Sequence, residues 1–381
     1  MALTGPADGP PSVAPARLAS VMDALAASIA VDTEDQVVVD GPALLGERAA
    51  HAGLGRGGAV SCGGGCRLLV ASDGWMAVSM ARPDDVRSVD AWLESSLALE
   101  PDAVDWEALG AALAVRRRAD LVERARMLGM PVAAVGESSG LGPLVVADDV
   151  HAVPTRPIDG LTVVDLSSLW AGPLCADLLG LAGARVIKVE SMRRPDGARS
   201  GPAAFFDLLH HGHESVALDL GAESGRAWLR RLVARADVVI EASRPRALES
   251  MGASFAAARE RGWSGVWLTI TAHDDTERVG FGDDAAAAGG LLAAGDAGPM
   301  FCADAVADPL TGTVAAAVAL RASRAGVGGR LSVALARSAA LAASGCAVHV
   351  EGLVAEPPRS RAVHGPARAL GADTDAVLGA L

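Results

Sequence analysis

The chain has 381 residues, 51% of them apolar but only 3% aromatic with no tyrosine, and 33 Lys and Arg stand against 46 Asp and Glu, a net charge of −13. That balance excludes nucleic acid or an anionic membrane surface as the main partner, and no uninterrupted apolar run reaches the ~18 residues of a membrane helix. Five cysteines with no histidine spaced to join them predict neither a disulfide framework nor a metal site, and the start of the chain has no secretion signal, so a reducing cytoplasm is expected.

Residues 1–18, rich in Pro, Gly and Ala without periodicity, read as a flexible leader on which little depends. Helices are predicted at 19–30, with Val21, Leu25 and Ile29 at helical spacing, and at 42–52. Residues 53–65 hold seven glycines and end in Ser61-Cys62-Gly63-Gly64-Gly65. Such a run is either a linker or a source of positive φ and bare N–H groups that can approach a ligand closely. It leads into apolar runs at 67–71 and 75–80 joined by Asp73-Gly74, a hairpin signal. Helices follow at 89–97, 106–115 and 119–128, the last stopped by Gly129 and Pro131, and then a strand at 130–135. Residues 19–150 are thus expected to form a small α+β domain with a glycine loop. Residues 136–157, with three Gly, three Pro and no period, mark its boundary.

The remainder, 151–381, opens on its most organised stretch. A β-branched strand at 161–166 runs to Ala171-Gly172-Pro173, which opens a helix with Pro in the first turn, and a second strand at 185–190 carries Lys188 and Glu190 at its tip. This βαβ unit spans about 30 residues, and its first turn lies at the sheet edge where open α/β folds bind ligands. Strands at 215–220, 238–241 and 266–271 alternate with helices at 224–236 and 247–261. The predicted fold class is α/β, a doubly wound, Rossmann-like parallel sheet beside the smaller α+β domain.

No Gly-x-Gly-x-x-Gly stands at 170–175, so NAD or FAD is not expected. A small-residue helix is predicted at 283–292, and Asp308-Pro309-Leu310-Thr311-Gly312 precedes another at 313–321. Asp308 has two readings, a helix N-cap or a nucleophilic carboxylate. Residues 331–350 are strand or helix, Pro357, Pro358 and Pro366 mark a loose tail, and 370–381 form a last helix. The runs Arg116-Arg117-Arg118 and Arg193-Arg194 are solvated surface or local anion sites.

Several segments together resemble family III CoA-transferases, the CaiB/BaiF family. They are Val163-Val164-Asp165-Leu166-Ser167, Ala171-Gly172-Pro173, Gly183-Ala184-Arg185-Val186-Ile187-Lys188-Val189-Glu190, Ser215-Val216-Ala217-Leu218-Asp219-Leu220, Ala236-Asp237-Val238-Val239-Ile240-Glu241, Asp308-Pro309-Leu310-Thr311-Gly312 and Leu370-Gly371-Ala372-Asp373. In order over ~220 residues they are specific as a set, although each alone is weak. The glycine loop, the hairpin and 121–135 resemble the family's small domain, which there follows the large one. Here it precedes it.

The resemblance implies transfer of CoA from an acyl-CoA to a carboxylic acid through an aspartyl mixed anhydride and an aspartyl-CoA thioester. Asp308 would be the nucleophile, and Gly63, Gly64 and Gly65 would supply backbone donors over the reacting carbonyl. Ala171, Gly172, Pro173, Lys188 and Glu190 would border the CoA nucleotide. CoA and acyl-CoA are then substrates rather than tightly bound cofactors, and a homodimer is implied. Some family positions differ: His210-His211-Gly212-His213-Glu214 replaces a basic stretch, and Ser250 stands where an arginine is frequent. Arg193, Arg244 and Arg246 are expected to substitute for those phosphate contacts. The other reading is a non-catalytic CoA-binding or scaffold subunit. A racemase is disfavoured because Gly280-Phe281-Gly282-Asp283-Asp284 lacks the histidine of a Gly-His-Asp pair.

Overall fold

The computed structural model describes residues 2–15, 17–100, 103–138, 142–343 and 354–381. Helices α1 (Arg17–Asp32), α2 (Gly41–Leu44) and α3 (Glu47–Ala52) come first, followed by the hairpin β1 (Cys66–Ala71) and β2 (Gly74–Ser79). Then come α4 (Pro83–Arg87), α5 (Val89–Leu93), α6 (Trp106–Ala114), α7 (Arg118–Leu128) and β3 (Val132–Ala134). The hairpin and β3 form a three-stranded antiparallel sheet in the order β1-β2-β3. Its outer face has its own core of Met76, Val78, Trp92, Leu109, Leu113, Leu121 and Val132. Helix α7 ends on Gly129 at φ 67, the left-handed stop that glycine adopts without steric cost.

The second unit begins at β4 (Val145–Ala152) and continues through β5 (Thr162–Asp165), α8 (Ala171–Leu181), β6 (Arg185–Ser191), α9 (Ala203–His210), β7 (Glu214–Leu218), α10 (Glu223–Arg235) and β8 (Val238–Glu241). After these come α11 (Pro245–Ser250), α12 (Phe255–Glu260), β9 (Val266–Thr271), α13 (Gly282–Ala288), the hairpin β10 (Leu292–Gly295) and β11 (Gly298–Phe301), α14 (Ala307–Arg324), β12 (Val327–Ala334), α15 (Leu335–Ala343) and α16 (Thr374–Gly379). The seven-stranded sheet has the order β4-β12-β9-β8-β5-β6-β7. Every pairing is parallel except β4 with β12. Apart from β4 this is the expected doubly wound order, reversing direction between β5 and β8, where such folds leave a crevice. One face is covered by α1, α8 and α14 and the other by α10, α12 and α16, through Leu229, Leu232, Phe255 and Val377.

Several expectations change. The leader is not loose: Leu3 and Thr4 are buried, and Thr4 Oγ1 accepts a hydrogen bond from Ala303 N at 3.2 Å. Helices α1 and α2, assigned to the small domain, share a core with the large one, Leu18, Met22, Ile29 and Leu44 clustering with Leu174, Leu178 and Leu310. Their apolar stripe needs a partner, and the small sheet's outer face is already filled by α5, α6 and α7. The boundary segment 136–157 contains the edge strand β4, whose exposed Asp148 and Asp149 guard a sheet edge rather than mark a loop. The helix read at 247–261 breaks in two at Gly252, φ 63. The predicted 283–292 helix stops at Gly289-Gly290, and 331–350 holds a strand and then a helix, its end lying outside the described residues.

The tail around Pro357 and Pro358 is also tied down. Arg361 Nε lies 2.7 Å from Glu47 Oε1 and its Nη1 lies 2.7 Å from Asp177 Oδ2, both carboxylates being buried. Burial pushes Asp177 up to about 6 although Arg361 pulls the other way. No described helix is long and apolar enough to cross a membrane.

Candidate active site

The inner face of the small sheet decides where the glycine loop goes. Cys66, Leu68 and Ala77 pack on Ala287 of α13 and Phe301 of β11, and Phe301 N donates to Gly58 O at 2.9 Å. The loop 61–65 is therefore held against the turn that enters α14. Cys62 Sγ donates to Ala303 O at 3.1 Å. Burial, reinforced by Asp304 and Asp283, raises the Cys62 thiol to about 12, so it stays protonated and un-nucleophilic.

Asp308 is the second residue of α14, and the N-cap position falls on Val306 with no side-chain cap bond. The N-cap reading of Asp308 therefore gives way to a first-turn carboxylate, where the helix dipole favours the anion. A Cβ on Gly282 would overlap Asp308 Oδ2 and the Ala305 carbonyl, so this close approach of α13 to α14 requires glycine. Two more carboxylates converge here. Asp283 Oδ1 accepts from Ala305 N at 3.1 Å, and the buried Asp304 is gripped by Arg48, Nε to Oδ2 at 2.8 Å and Nη2 to Oδ1 at 2.5 Å. Burial pushes Asp308 up to about 7; Arg48 opposes the shift, while Asp283 and Asp304 reinforce it. Asp283 is likewise raised to about 6 by burial and by Asp304.

Gly63 is brought to this cluster, since a Cβ there would stand 3.6 Å from Arg48 Nη2. Gly64 N donates to Ser61 O at 2.8 Å and closes the turn. Among the described residues no partner takes the amides of Gly63 and Gly65, which leaves those two as the donors available to a ligand. The glycine loop and Asp308 thus share the neighbourhood of one guanidinium, that of Arg48, within one chain.

The expected nucleotide contacts fare differently. Ala171, Gly172 and Pro173 are buried in the first turn of α8. A side chain at Gly172 would collide with Ser167 Oγ, and a Cβ on Gly312 would lie 2.5 Å from Ala171 O, so these small residues let α8 cross α14 one turn from Asp308. Lys188 does not reach a ligand: it is 1% exposed, with Nζ 2.9 Å from Asp196, 3.3 Å from Asp165 and donating to Ser167 O at 2.6 Å. Burial works to lower its pKa, but Asp165 and Asp196 outweigh that and hold it above the ordinary value. Glu190 is equally committed, accepting from Asp196 N at 2.9 Å and from Arg199 at 2.6 Å. A buried charge is tolerable only when paired, which is why both tips turn inward, Lys188 to the β5–α8 turn through Asp165 and Ser167 O and Glu190 to the segment after β6 through Asp196 N and Arg199.

Arg193 is exposed and 3.2 Å from Asp219. Arg244 is different. Its guanidinium has no ion pair among the described residues, and its pKa is drawn down by burial and by Arg246, Arg82 and Arg194 around it. Arg82 also donates to Gly129 O at 3.0 Å, and a Cβ on Gly129 would lie 3.5 Å from Arg244 Nη1, so the group stands where the small and large units meet. Within the group Arg82 is paired with Asp85, and the charge of Glu277 acts on Arg244 against the neighbouring arginines.

Sequence reasoning missed Arg48, Asp304 and Asp283. Arg48 and Asp304 are 256 residues apart and no spacing links them. Among the described residues no group of His, Cys, Asp or Glu is arranged to hold a metal.

A doubly wound α/β unit with a first-turn aspartate near an arginine and a glycine loop defines the class of protein: a parallel α/β fold with a cluster of buried carboxylates at the start of α14. Residues 158–369, more than half of the chain, match the family model for CoA-transferase family III, and the chain belongs to that family. It is 31% identical over 181 residues to a succinyl-CoA–D-citramalate CoA-transferase of Chloroflexus aurantiacus, covering 44% of this chain and 45% of that one. It is 36% identical over 116 residues to an acetyl-CoA:oxalate CoA-transferase of Acetobacter aceti, covering 29% and 30%. The chain spans less than half the length of either relative. A CaiB/BaiF family crystal structure from Brucella suis aligns with 31% identity and a TM-score of 0.45 over 49% of this chain and 55% of that one.

Proposed function

We propose that the chain transfers CoA from an acyl-CoA to a carboxylic acid, with Asp308 as the nucleophile. The observation that carries this reading is the convergence of Asp308, Arg48 and the Gly63 loop at the start of α14. The carboxylate adds to the thioester carbonyl, the C–S bond breaks, and a mixed anhydride and CoA thiolate result. The thiolate then attacks the aspartyl carbonyl, releasing the donor acid and leaving an aspartyl-CoA thioester. The acceptor carboxylate attacks this thioester, and the expelled thiolate takes the new acyl group, which frees Asp308. Each step splits one hard exchange into easier ones, and the amides of Gly63 and Gly65 would receive the charge that builds on the carbonyl oxygen.

Only ionised Asp308 can attack. With its carboxyl at about 7, kcat/KM is expected to fall on an acid limb centred near pH 7, well above an ordinary aspartate. A pH profile with succinyl-CoA as donor checks this, and a limb near pH 4 would contradict it.

Arg244, Arg246 and Arg194, with Arg193 at the rim, would hold the phosphates of CoA. Replacing Arg244 and Arg246 together with alanine is expected to weaken CoA binding by ~10-fold or more per lost charged contact and to flatten its salt dependence. Calorimetric titration at two salt concentrations measures both. Acyl-CoA enters as substrate, and the partner is a carboxylic acid. A homodimer remains part of the proposal, with light scattering as its test, although one chain already carries both halves of the site.

One observation favours a second reading, a CoA-binding or scaffold subunit without catalysis. His210 and His213, in place of basic residues, are buried rather than turned to a ligand. Trapping with hydroxylamine or borohydride after exposure to acetyl-CoA or succinyl-CoA separates the two: a mass increment at Asp308 supports transfer, and its absence with retained CoA binding supports the subunit.

A further inference from the structure

Arg48 lies on α3, 256 residues from Asp304, yet Asp304, Trp170 and Gly63 all come to its guanidinium. It holds Asp304 at two points, 2.8 and 2.5 Å, with the carboxylate fully buried. It stacks 5.2 Å from the centre of the Trp170 ring, the N-cap residue of α8. It stands 3.6 Å from the side-chain direction of Gly63, and its charge reaches Asp283 and Asp308.

We propose that Arg48 is the positioning residue of the site, holding Asp304 and Trp170 so that the turn into α14 presents Asp308 to the glycine loop as an ionised carboxylate. The inference rests on the reading of Asp308 as nucleophile. The groups that act on Asp308 are Arg48 from α3, Asp283 with the Gly282 backbone from α13, and Asp304 from the entering turn, and Cys62 of the glycine loop adjoins Asp304, Asp283 and Arg48. Three carboxylates crowd one cation here. Burial and the two neighbouring aspartates favour protonated Asp308, and Arg48 opposes them. An arginine suits the task because its planar fork grips Asp304 bidentately while one face lies on the indole. Lysine keeps the charge but not the fork or the stack.

The test compares Arg48→Gln, Arg48→Lys and Asp304→Asn with the unaltered chain, following by mass the rate of adduct formation at Asp308 with acetyl-CoA and succinyl-CoA across pH. Removing the cation should move the acid limb up by ~1 pH unit, and removing the neighbouring anion should move it down by a similar amount. Arg48→Lys should keep the limb near its original place yet lose at least ~10-fold in rate, because positioning and charge are separated in that variant. If Arg48→Gln fails to fold, Asp304→Asn, a neutral isostere, still reads the electrostatic half and Arg48→Lys the positional half. Adducts that form at Asp308 with limb and rate unchanged in all three variants overturn the role of Arg48 alone. A parent chain that forms no adduct overturns the nucleophile reading beneath it.

Discussion

An Asp308→Asn chain is expected to lose CoA transfer by ~10⁴-fold or more, since removing a covalent nucleophile leaves only binding and polarisation to accelerate the reaction. The fold should not suffer. Asp308 has a folded-state pKa raised from the ordinary carboxylate value to about 7 by burial and its acidic neighbours, so relative to a neutral residue it costs nothing below ~4, and the cost accrues as pH rises from ~4 and is complete above about 7. A neutral amide of the same shape removes that cost, so Asn should leave the melting temperature nearly unchanged at about pH 3.5 and raise it at about pH 8. Loss of turnover combined with higher stability at alkaline pH marks a group retained for chemistry. Activity retained within ~10-fold in the Asn variant would move the nucleophile elsewhere.

The second large effect is expected at Lys188. Methionine there would leave Asp165 and Asp196, both buried, without their shared cation, and breaking a buried pair from one side costs about 3–5 kcal/mol. Against the ~5–15 kcal/mol that holds a typical domain together, this is enough to shift the urea midpoint markedly or prevent folding. Adding Asp165→Asn and Asp196→Asn should recover part of the loss, because a neutral cluster no longer strands a charge. If Lys188→Met instead unfolds at the same urea concentration as the parent but binds CoA weakly, Lys188 touches the nucleotide after all. Chemical denaturation and CoA titration on the same preparations separate the two.

The parts that were legible in the sequence share a short range. The β5–α8–β6 unit shows as a β-branched run, a Gly-Pro turn and a second apolar run within 30 residues, and the proposal for Asp308 starts from Asp-x-x-Thr-Gly. The parts that were not legible depend on contacts across the chain. An amphipathic α1 announces that one face is buried but not that Leu174 and Leu310 will cover it. Lys188 and Glu190 occupy the strand tip where a ligand contact is expected, and only the positions of Asp196 and Arg199 turn them into internal props. β4 was hidden because an exposed edge strand carries the charges and irregular hydropathy of a loop. Arg48 was hidden most deeply, since a single arginine on a six-residue helix gives no local sign of the aspartates it will meet.

Arg361 gives the site a place in time. It is 314 residues from Glu47, the residue next to Arg48, and a ribosome adding 5–20 residues per second needs ~15–60 s to span that gap. Until then Glu47 and Asp177 would be buried anions without a counter-charge, so α3 has reason to stay undocked while the small sheet and the strands from β5 to β12 are made. The nascent chain therefore completes the surroundings of Arg48 late, when the segment carrying Arg361 has emerged and latches the earliest helices into place. A nick between α15 and Arg361 would reopen that order, loosening the first-made residues around Arg48 before it disturbed the parallel sheet.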